Sequence, residues 1–259
     1  MDYKKELEFA KSMAADAGKV MKKYYRIDQG VEIKSNATPL TLADTEVNDT
    51  LIERVKNEFP EYGVLGEEAS WNETREKLWV CDPIDGTVGY ILHIPTSAFS
   101  LALVIEGVVK VSVIYNPWVD ELYHSVIGGG AFLNNKSIKV SDKKWGEYAH
   151  IANSSGGHDI FRDEELVKKL AAEKVFINSS PGIVYHGCLI AAGYIEGRTF
   201  TYHTAHDIAA VKLLIEEAGG KVTDIEGNEQ RYDQKINGAI MSNGLIHDEL
   251  VKIVAEAMK

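Results

Sequence analysis

The sequence predicts a mixed α/β (α+β) fold in two parts, and three patterns carry that prediction. Apolar residues at helical spacing open the chain, closely spaced strand-like runs fill residues 62–140, and strands and helices alternate beyond about residue 146. A length of 259 residues holds one large or two modest cores, and the parts are taken as residues 1–145 and 146–259.

Taken in order, Leu7, Ala10, Met13, Ala14, Met21 and Tyr24 recur at roughly helical spacing in a first helix. The 30–38 stretch breaks it. A second helix begins near Asp44, with Val47, Leu51, Ile52 and Val55 on one face, and stops before Pro60, where the chain must leave helical geometry. Strands are expected over 64–65, 78–81, 99–105, 108–115, 122–126 and 131–133, with Gly or Asn at the turns, which predicts an antiparallel meander. Beyond it, strands are expected over 149–152, 175–177, 199–202, 222–223 and 239–241, and helices over 163–172, 184–195, 207–218 and 248–257. Gly219-Gly220 suits a helix C-terminus, where a left-handed residue is needed. A pocket is expected between the two parts.

Composition excludes several classes. Hydrophobic content of 45% with 26% charged residues is that of a globular chain rather than a disordered one. No apolar run approaches the ~20 residues of a membrane span, and Met1 to Leu7 is too polar for a signal peptide. Cys81 and Cys188 form no disulfide pattern and sit in apolar stretches, so buried thiols in a reducing cytoplasm are expected. A net charge of −11 argues against nucleic acid as a partner, because phosphate contacts need a surplus of Lys and Arg. An acidic protein that handles a phosphate ester needs local positive charge, which bound divalent cations would supply.

The segment Trp79-Val80-Cys81-Asp82-Pro83-Ile84-Asp85-Gly86-Thr87 reads as a short apolar strand ending in two carboxylates, a turn and a hydroxyl. Carboxylates are costly at the end of a buried strand unless paired or bound to a metal. Asp-Pro and Asp-Gly are also ordinary turn dipeptides. Further acidic positions weigh against the surface turn: Asp44 in Thr38-Pro39-Leu40-Thr41-Leu42-Ala43-Asp44, Glu67-Glu68 after Gly66, and Asp207 in His206-Asp207-Ile208-Ala209-Ala210. An EF-hand fails on spacing: Asp82 and Asp85 are three apart, and the loop's glutamate position is His93. Proline between the two aspartates lets them diverge from a rigid turn and converge on one region. Hard oxygen donors of this kind suit Mg²⁺.

These residues, in this order and followed by Glu217-Ala218-Gly219-Gly220, resemble the inositol monophosphatase superfamily of Mg²⁺-dependent, lithium-sensitive phosphatases over nearly the whole chain. The haloacid-dehalogenase phosphatases are a superficial match only, since Pro83-Ile84 puts the two carboxylates in the wrong register. The resemblance implies a five-layered α-β-α-β-α sugar-phosphatase fold, a homodimer, and two or three Mg²⁺ per site. It implies that Asp82 bridges two metals, that Glu67 and the main-chain carbonyl of Ile84 bind the first, and that Asp85 and Asp207 bind the second. Glu68 would support Glu67. The Thr87 hydroxyl, donating to Asp44 or Glu67, would orient and activate the attacking water. Gly86 lets backbone approach the phosphate, and N–H groups from Asp85 to Thr87 would hold it. Asp207 also reads as a helix-capping residue, and His206 replaces the family's usual Trp.

The substrate is expected to be a small phosphorylated metabolite of the inositol monophosphate type. Phe200 stands where animal inositol monophosphatases place a substrate-binding Glu. Asn153-Ser154-Ser155-Gly156-Gly157 and Pro181-Gly182-Ile183 fall where substrate loops are expected, though turn chemistry explains both equally well. Thr87-Val88-Gly89-Tyr90 looks more like the branch that hydrolyses 3′-phosphoadenosine 5′-phosphate, whereas His93-Ile94-Pro95 is closer to the inositol branch; that nucleotide branch carries a Lys where this chain has His186. Fructose 1,6-bisphosphate is a further alternative. So is a role of another class, since some bacterial members of the family bind the transcription machinery and act in RNA processing.

Overall fold

The computed structural model describes residues 3–27, 29–35, 38–146, 148–153, 160–178 and 180–258. The chain runs α1 (Lys4–Tyr24), β1 (Glu32–Ile33), β2 (Pro39–Leu40), α2 (Leu42–Glu58), β3 (Gly63–Gly66), β4 (Lys77–Asp85) and α3 (Thr87–Ile91). Next come β5 (Ala98–Ile105), β6 (Val108–Asn116), β7 (Glu121–Val126), β8 (Ala131–Leu133) and β9 (Lys136–Ser137). The remainder is β10 (Ala149–Ala152), α4 (Ile160–Ala172), β11 (Val175–Asn178), α5 (Val184–Ala191), β12 (Gly197–Phe200), α6 (Ala209–Glu217), β13 (Lys221–Thr223), β14 (Ala239–Ser242) and α7 (His247–Ala257).

Five layers result. A seven-stranded sheet in the order β3-β4-β5-β6-β7-β8-β9 lies between α1 with α2 on one face and α5 with α6 on the other. The same α5 and α6 cover one face of a five-stranded sheet, β11-β10-β12-β14-β13, and α4 with α7 cover its far side. Strands β4 and β5 explain why their sequence reads as unbroken apolar runs. On β4, Trp79 and Cys81 join the α1/α2 cluster while Leu78 and Val80 join the middle one; on β5, Phe99, Leu101 and Leu103 face the first and Ala102 and Val104 the second. Alternate side chains point to opposite faces, so a strand covered on both sides is apolar throughout.

The expected meander holds from β4 to β9, but β3 pairs with β4 in parallel. The two-residue hairpin of β1 and β2, the helix α3 and the strand β9 are additions to the sequence reading. Strand β12 sits two residues earlier than expected, because Gly197 to Phe200 pair with Ser242 to Ala239. Helix α5 stops at Ala191, and Gly193 beyond it takes φ +77°. Helix α6 ends as anticipated. Gly219 (φ +93°) donates to the Glu216 carbonyl and Gly220 to the Ile215 carbonyl, which is Schellman geometry.

Candidate metal centre

The strand β4 does not end before its carboxylates. It runs through Asp82 and Asp85, pairing Asp82 with Ser100 and Asp85 with Ala98 across a register shift. Three residues on β4 therefore span two on β5, which is a bulge. On a regular strand, residues three apart point to opposite faces; the extra residue cancels that and lets both aspartates serve one side. Pro83, which has no N–H to donate, is tolerated at such a point, and the Ile84 N–H donates to Asp82 Oδ1 at 3.0 Å. The Ile84 side chain anchors the bulge in the α1/α2 core.

Asp207 arrives from the other sheet's side of the molecule. It lies in a turn before α6, whose N-cap is Ile208, and so does not cap the helix as the sequence suggested. Ala205 O accepts from both the Ile208 and Ala209 N–H groups, which tightens that turn, and the Thr204 hydroxyl donates to Asp207 Oδ2. Oxygens of Asp82, Asp85 and Asp207 lie within 4.8 Å of one another. All three resist ionisation without a counter-charge. Burial first, then Glu67 and Asp85, push Asp82 well above the usual carboxylate range. Burial and then Asp207 push Asp85 up to about 7. Burial raises Asp207, opposed by His206 and Thr204. Three carboxylates this close, two of them buried and one partly so, are unfavourable alone, and an all-oxygen donor set of this spacing suits a hard divalent cation.

Asp44 stands in the first turn of α2, where it forms a capping box. Its Oδ2 accepts from the Thr41 N–H (2.8 Å) and hydroxyl (2.6 Å), and the Asp44 N–H donates back to Thr41 Oγ1. Its other oxygen, Oδ1, is buried with no hydrogen-bond partner among the described residues. Burial, against the Thr41 bonds, lifts its pKa to about 7.

Glu67 and Glu68 follow β3, and here a residue the sequence reading missed takes part. Lys34, just after β1, sets its Nζ 2.8 Å from Glu67 Oε1 and 2.9 Å from Glu68 Oε1. Burial works against the Lys34 charge, but the two glutamates outweigh it and hold its pKa above the ordinary value. Glu67 is accordingly outside the three-aspartate group. Nothing in the 30–38 segment distinguishes this lysine from a solvated turn residue.

The Thr87 hydroxyl also departs from expectation. It donates to the Ile84 carbonyl at 3.1 Å, not to Asp44 or Glu67, because Thr87 opens α3 and its side chain turns back on the bulge. That carbonyl keeps a second lone pair. Gly86 precedes Thr87 at φ +78°, and a Cβ there would lie 3.0 Å from Gly182 Cα, so both conformation and contact require glycine. Gly182 is itself at φ +92°, with its missing Cβ 3.2 Å from Asp85 Oδ2. The following N–H groups of Ile183 and Val184 donate to Asp85 Oδ1 and Oδ2, each at 3.0 Å. The 181–183 segment is thus bound to the metal-site turn.

Phe200 is 2% exposed within the middle cluster and lies against the Tyr202 ring in a tilted pair, so it packs in the core rather than presenting a group to substrate. Asn153 is buried at the end of β10 and accepts from the Thr199 hydroxyl at 3.3 Å, while residues 154–157 of the expected substrate loop lie outside the described residues. His206 Nε2 is 3.7 Å from Asp207 Oδ2. Among the described residues, no helix is long and apolar enough to cross a membrane.

Comparison with known proteins agrees with this geometry. The inositol monophosphatase family matches residues 2–259. A fructose-1,6-bisphosphatase/inositol-1-monophosphatase of Thermotoga maritima is 30% identical over 257 residues, covering 98% of this chain and 97% of that protein. An inositol-1-monophosphatase of Mesorhizobium japonicum is 30% identical over 262 residues, covering 97% and 94%. The solved structure of a Thermotoga maritima IMPase superposes with a TM-score of 0.88 at 29% identity, covering 98% of both chains.

Proposed function

The chain belongs to the inositol monophosphatase family and is a phosphomonoesterase of that family; from that premise we propose that it hydrolyses a small phosphorylated metabolite of the inositol monophosphate type with Mg²⁺ as its metal. The family is metal-dependent, and the observation that carries the reading is the gathering of buried Asp82 and Asp85 with partly buried Asp207 within 4.8 Å. When bound, the metal supplies an acidified water and neutralises charge on the leaving oxygen.

Asp82, Asp85 and Asp207 would hold one ion, and Glu67 with the Ile84 carbonyl and Asp82 a neighbouring one, for two or three per site. Glu67 would exchange Lys34 for this role. The unpartnered Oδ1 of Asp44 is suited to accept a proton, with Glu67 sharing that task and Thr87 orienting the water. The first N–H groups of α3, which no helical carbonyl can reach, would hold phosphate oxygens beside Gly86 and Thr87. Gly182, Asp85 and Asp207 would border the substrate. In this arrangement residues 1–145 carry most of the metal ligands and residues 146–259 add the substrate loops and Asp207.

A sugar bisphosphate is the second reading, favoured by the dual name of the Thermotoga relative. Phosphate release should be measured from inositol 1-phosphate, fructose 1,6-bisphosphate, 3′-phosphoadenosine 5′-phosphate and histidinol phosphate, with Mg²⁺ or with chelator. Turnover that vanishes in chelator, returns with Mg²⁺ and is inhibited by Li⁺ in competition with Mg²⁺ supports the reading. Full activity in excess chelator would sink it. A complete set of ligands favours an enzyme over a transcription or RNA-processing partner, which copurification with no turnover would instead indicate. Two buried thiols support a reducing, cytoplasmic setting, and sedimentation would test the proposed homodimer.

A further inference from the structure

The three-aspartate group and Glu67 differ in what stands beside them. Among the described residues no lysine or arginine forms an ion pair with Asp82, Asp85 or Asp207, and His206 stands 3.7 Å from Asp207 Oδ2. Glu67 already holds a cation. Lys34 sets its Nζ 2.8 Å from Glu67 Oε1, 2.9 Å from Glu68 Oε1 and 3.2 Å from Glu68 Oε2, so one ammonium is shared between two carboxylates.

The backbone of this corner is pinned. The Glu67 N–H donates to the Cys81 carbonyl at 3.1 Å, which fixes Glu67 beside β4 at the residue before Asp82. The Lys34 N–H donates to the Thr38 carbonyl at 2.8 Å, at the end of the β1–β2 hairpin. What can turn is therefore the side chains. The Glu67 carboxylate is drawn to Lys34 and lies outside the three-aspartate group, although after burial its charge is the largest that Asp82 feels. Glu68 is the more enclosed partner, 9% exposed against 23% for Glu67, and it holds Lys34 with both of its oxygens. If Glu67 turns toward Asp82, Lys34 keeps Glu68 and no partly buried charge is left unpaired.

Building on the function proposed above, we propose that Lys34 is a built-in competitor of the metal at Glu67: the three-aspartate site fills first, and the Glu67 site fills second, as Glu67 releases Lys34 to Glu68 and turns toward Asp82 and the Ile84 carbonyl. Affinity at the second site is lowered by the fraction of the time that Glu67 spends on Lys34. No such competitor weakens the first. Repulsion between two ions that share Asp82 acts in the same direction, so the order alone is no test of the lysine, and its removal is.

Manganese reads the loading without turnover, because electron paramagnetic resonance counts free and bound Mn²⁺ separately. In about 0.15 M salt, where longer-range attraction is screened, the wild-type protein should show two separate steps. Lys34→Met, similar in length and uncharged, should tighten the second step about three- to tenfold and the first by less than about twofold. Glu68→Gln should weaken the second step, because Lys34 then has Glu67 alone, and that loss should disappear when Lys34→Met is added. A second step unmoved or weakened by Lys34→Met, or effects of the two changes that simply add, would overturn the proposal.

A measurement on the wild-type protein covers variants that fold poorly. Acetylation of Lys34 by acetic anhydride, followed by mass spectrometry, should speed up across the second Mn²⁺ step and not the first, since the ammonium exchanges two carboxylates for one. An unchanged or slower reaction across that step would also overturn it. Absence of any Mn²⁺ binding by the wild-type protein would defeat the functional reading itself, whereas two bound ions indifferent to Lys34 would defeat this proposal alone.

Discussion

The carboxylates of β4 and the carboxylate before α6 converge on one point, yet they are held by different means. Asp82 and Asp85 are strand residues, positioned by ladder pairing with Ser100 and Ala98 and by the bulge between them. Asp207 belongs to a three-residue turn, fixed by the Thr204 hydroxyl and by the packing of α6 beneath it. The strand fixes its side chains through many shared backbone bonds. The turn depends on few, so its carboxylate is the less firmly held of the three.

The largest expected effect is on the strand side. Asp82→Asn should lower kcat by about a hundredfold or more, since groups that merely support a ligand are already worth 10–100-fold. In chelator the same variant should melt higher than wild type, because a carboxyl that burial, Glu67, Asp85 and Asp207 prevent from ionising as it does in the unfolded chain has been removed. A lower melting temperature would mean that this strand end is structural.

Asp207→Asn tests the other side. Activity should fall about tenfold to a hundredfold, with part of the loss restored at high Mg²⁺, and Thr204→Val should give a milder version of the same profile. Losses as deep and as unresponsive to Mg²⁺ as those of Asp82→Asn would erase the difference between the two regions.

Protonation gives a third, intermediate effect. Asp44 and Asp85 have folded-state pKa values of about 7, above the unfolded value of 3.8. The metal-free fold therefore binds extra protons, and the stability this confers is lost as pH rises through 7. His186 and His247 are held down at about 3 and 4, so their contribution is lost as pH falls below the unfolded value of 6.5. Melting in chelator should thus improve from pH 8 to about 6 and then level off, as the histidine loss offsets the further carboxylate gain. With saturating Mg²⁺ the first limb should flatten, since the ion replaces the protons; a limb unchanged by Mg²⁺ would place the titration elsewhere.

The smallest effect belongs to the cap that aims Asp44. Thr41→Ala should cost about 1 kcal/mol of stability, read from denaturant midpoints, and should lower activity further if Asp44 loses its orientation.

Much of the fold was legible because amphipathic spacing and doubly covered strands leave strong patterns, as α1 and β4 illustrate. The bulge was not, since Asp82 and Asp85 look like the end of a strand until the partner's register is known. Asp207 read as helical because the periodicity of α6 runs on without a visible boundary, while the actual boundary is set by hydrogen bonds to Ala205. The pairing of Lys34 with Glu67 and Glu68 was invisible for another reason: long-range pairing of single polar residues leaves no local signature. Phe200 could be numbered correctly against relatives and still be misjudged, because numbering does not tell which face of β12 a side chain takes.

Asp85 does two things with one carboxylate: it lies in the candidate metal cluster, and it receives the leading N–H groups at the start of α5. Without a cation it is close to half-protonated near neutral pH, and a neutral carboxyl is the weaker acceptor. Occupancy of the site keeps it ionised, so filling the site and seating α5 are one coupled equilibrium. Amide exchange at Ile183 and Val184 should slow as Mg²⁺ is raised, although neither residue touches the ion. A helix of the middle layer would then report on the state of the metal cluster.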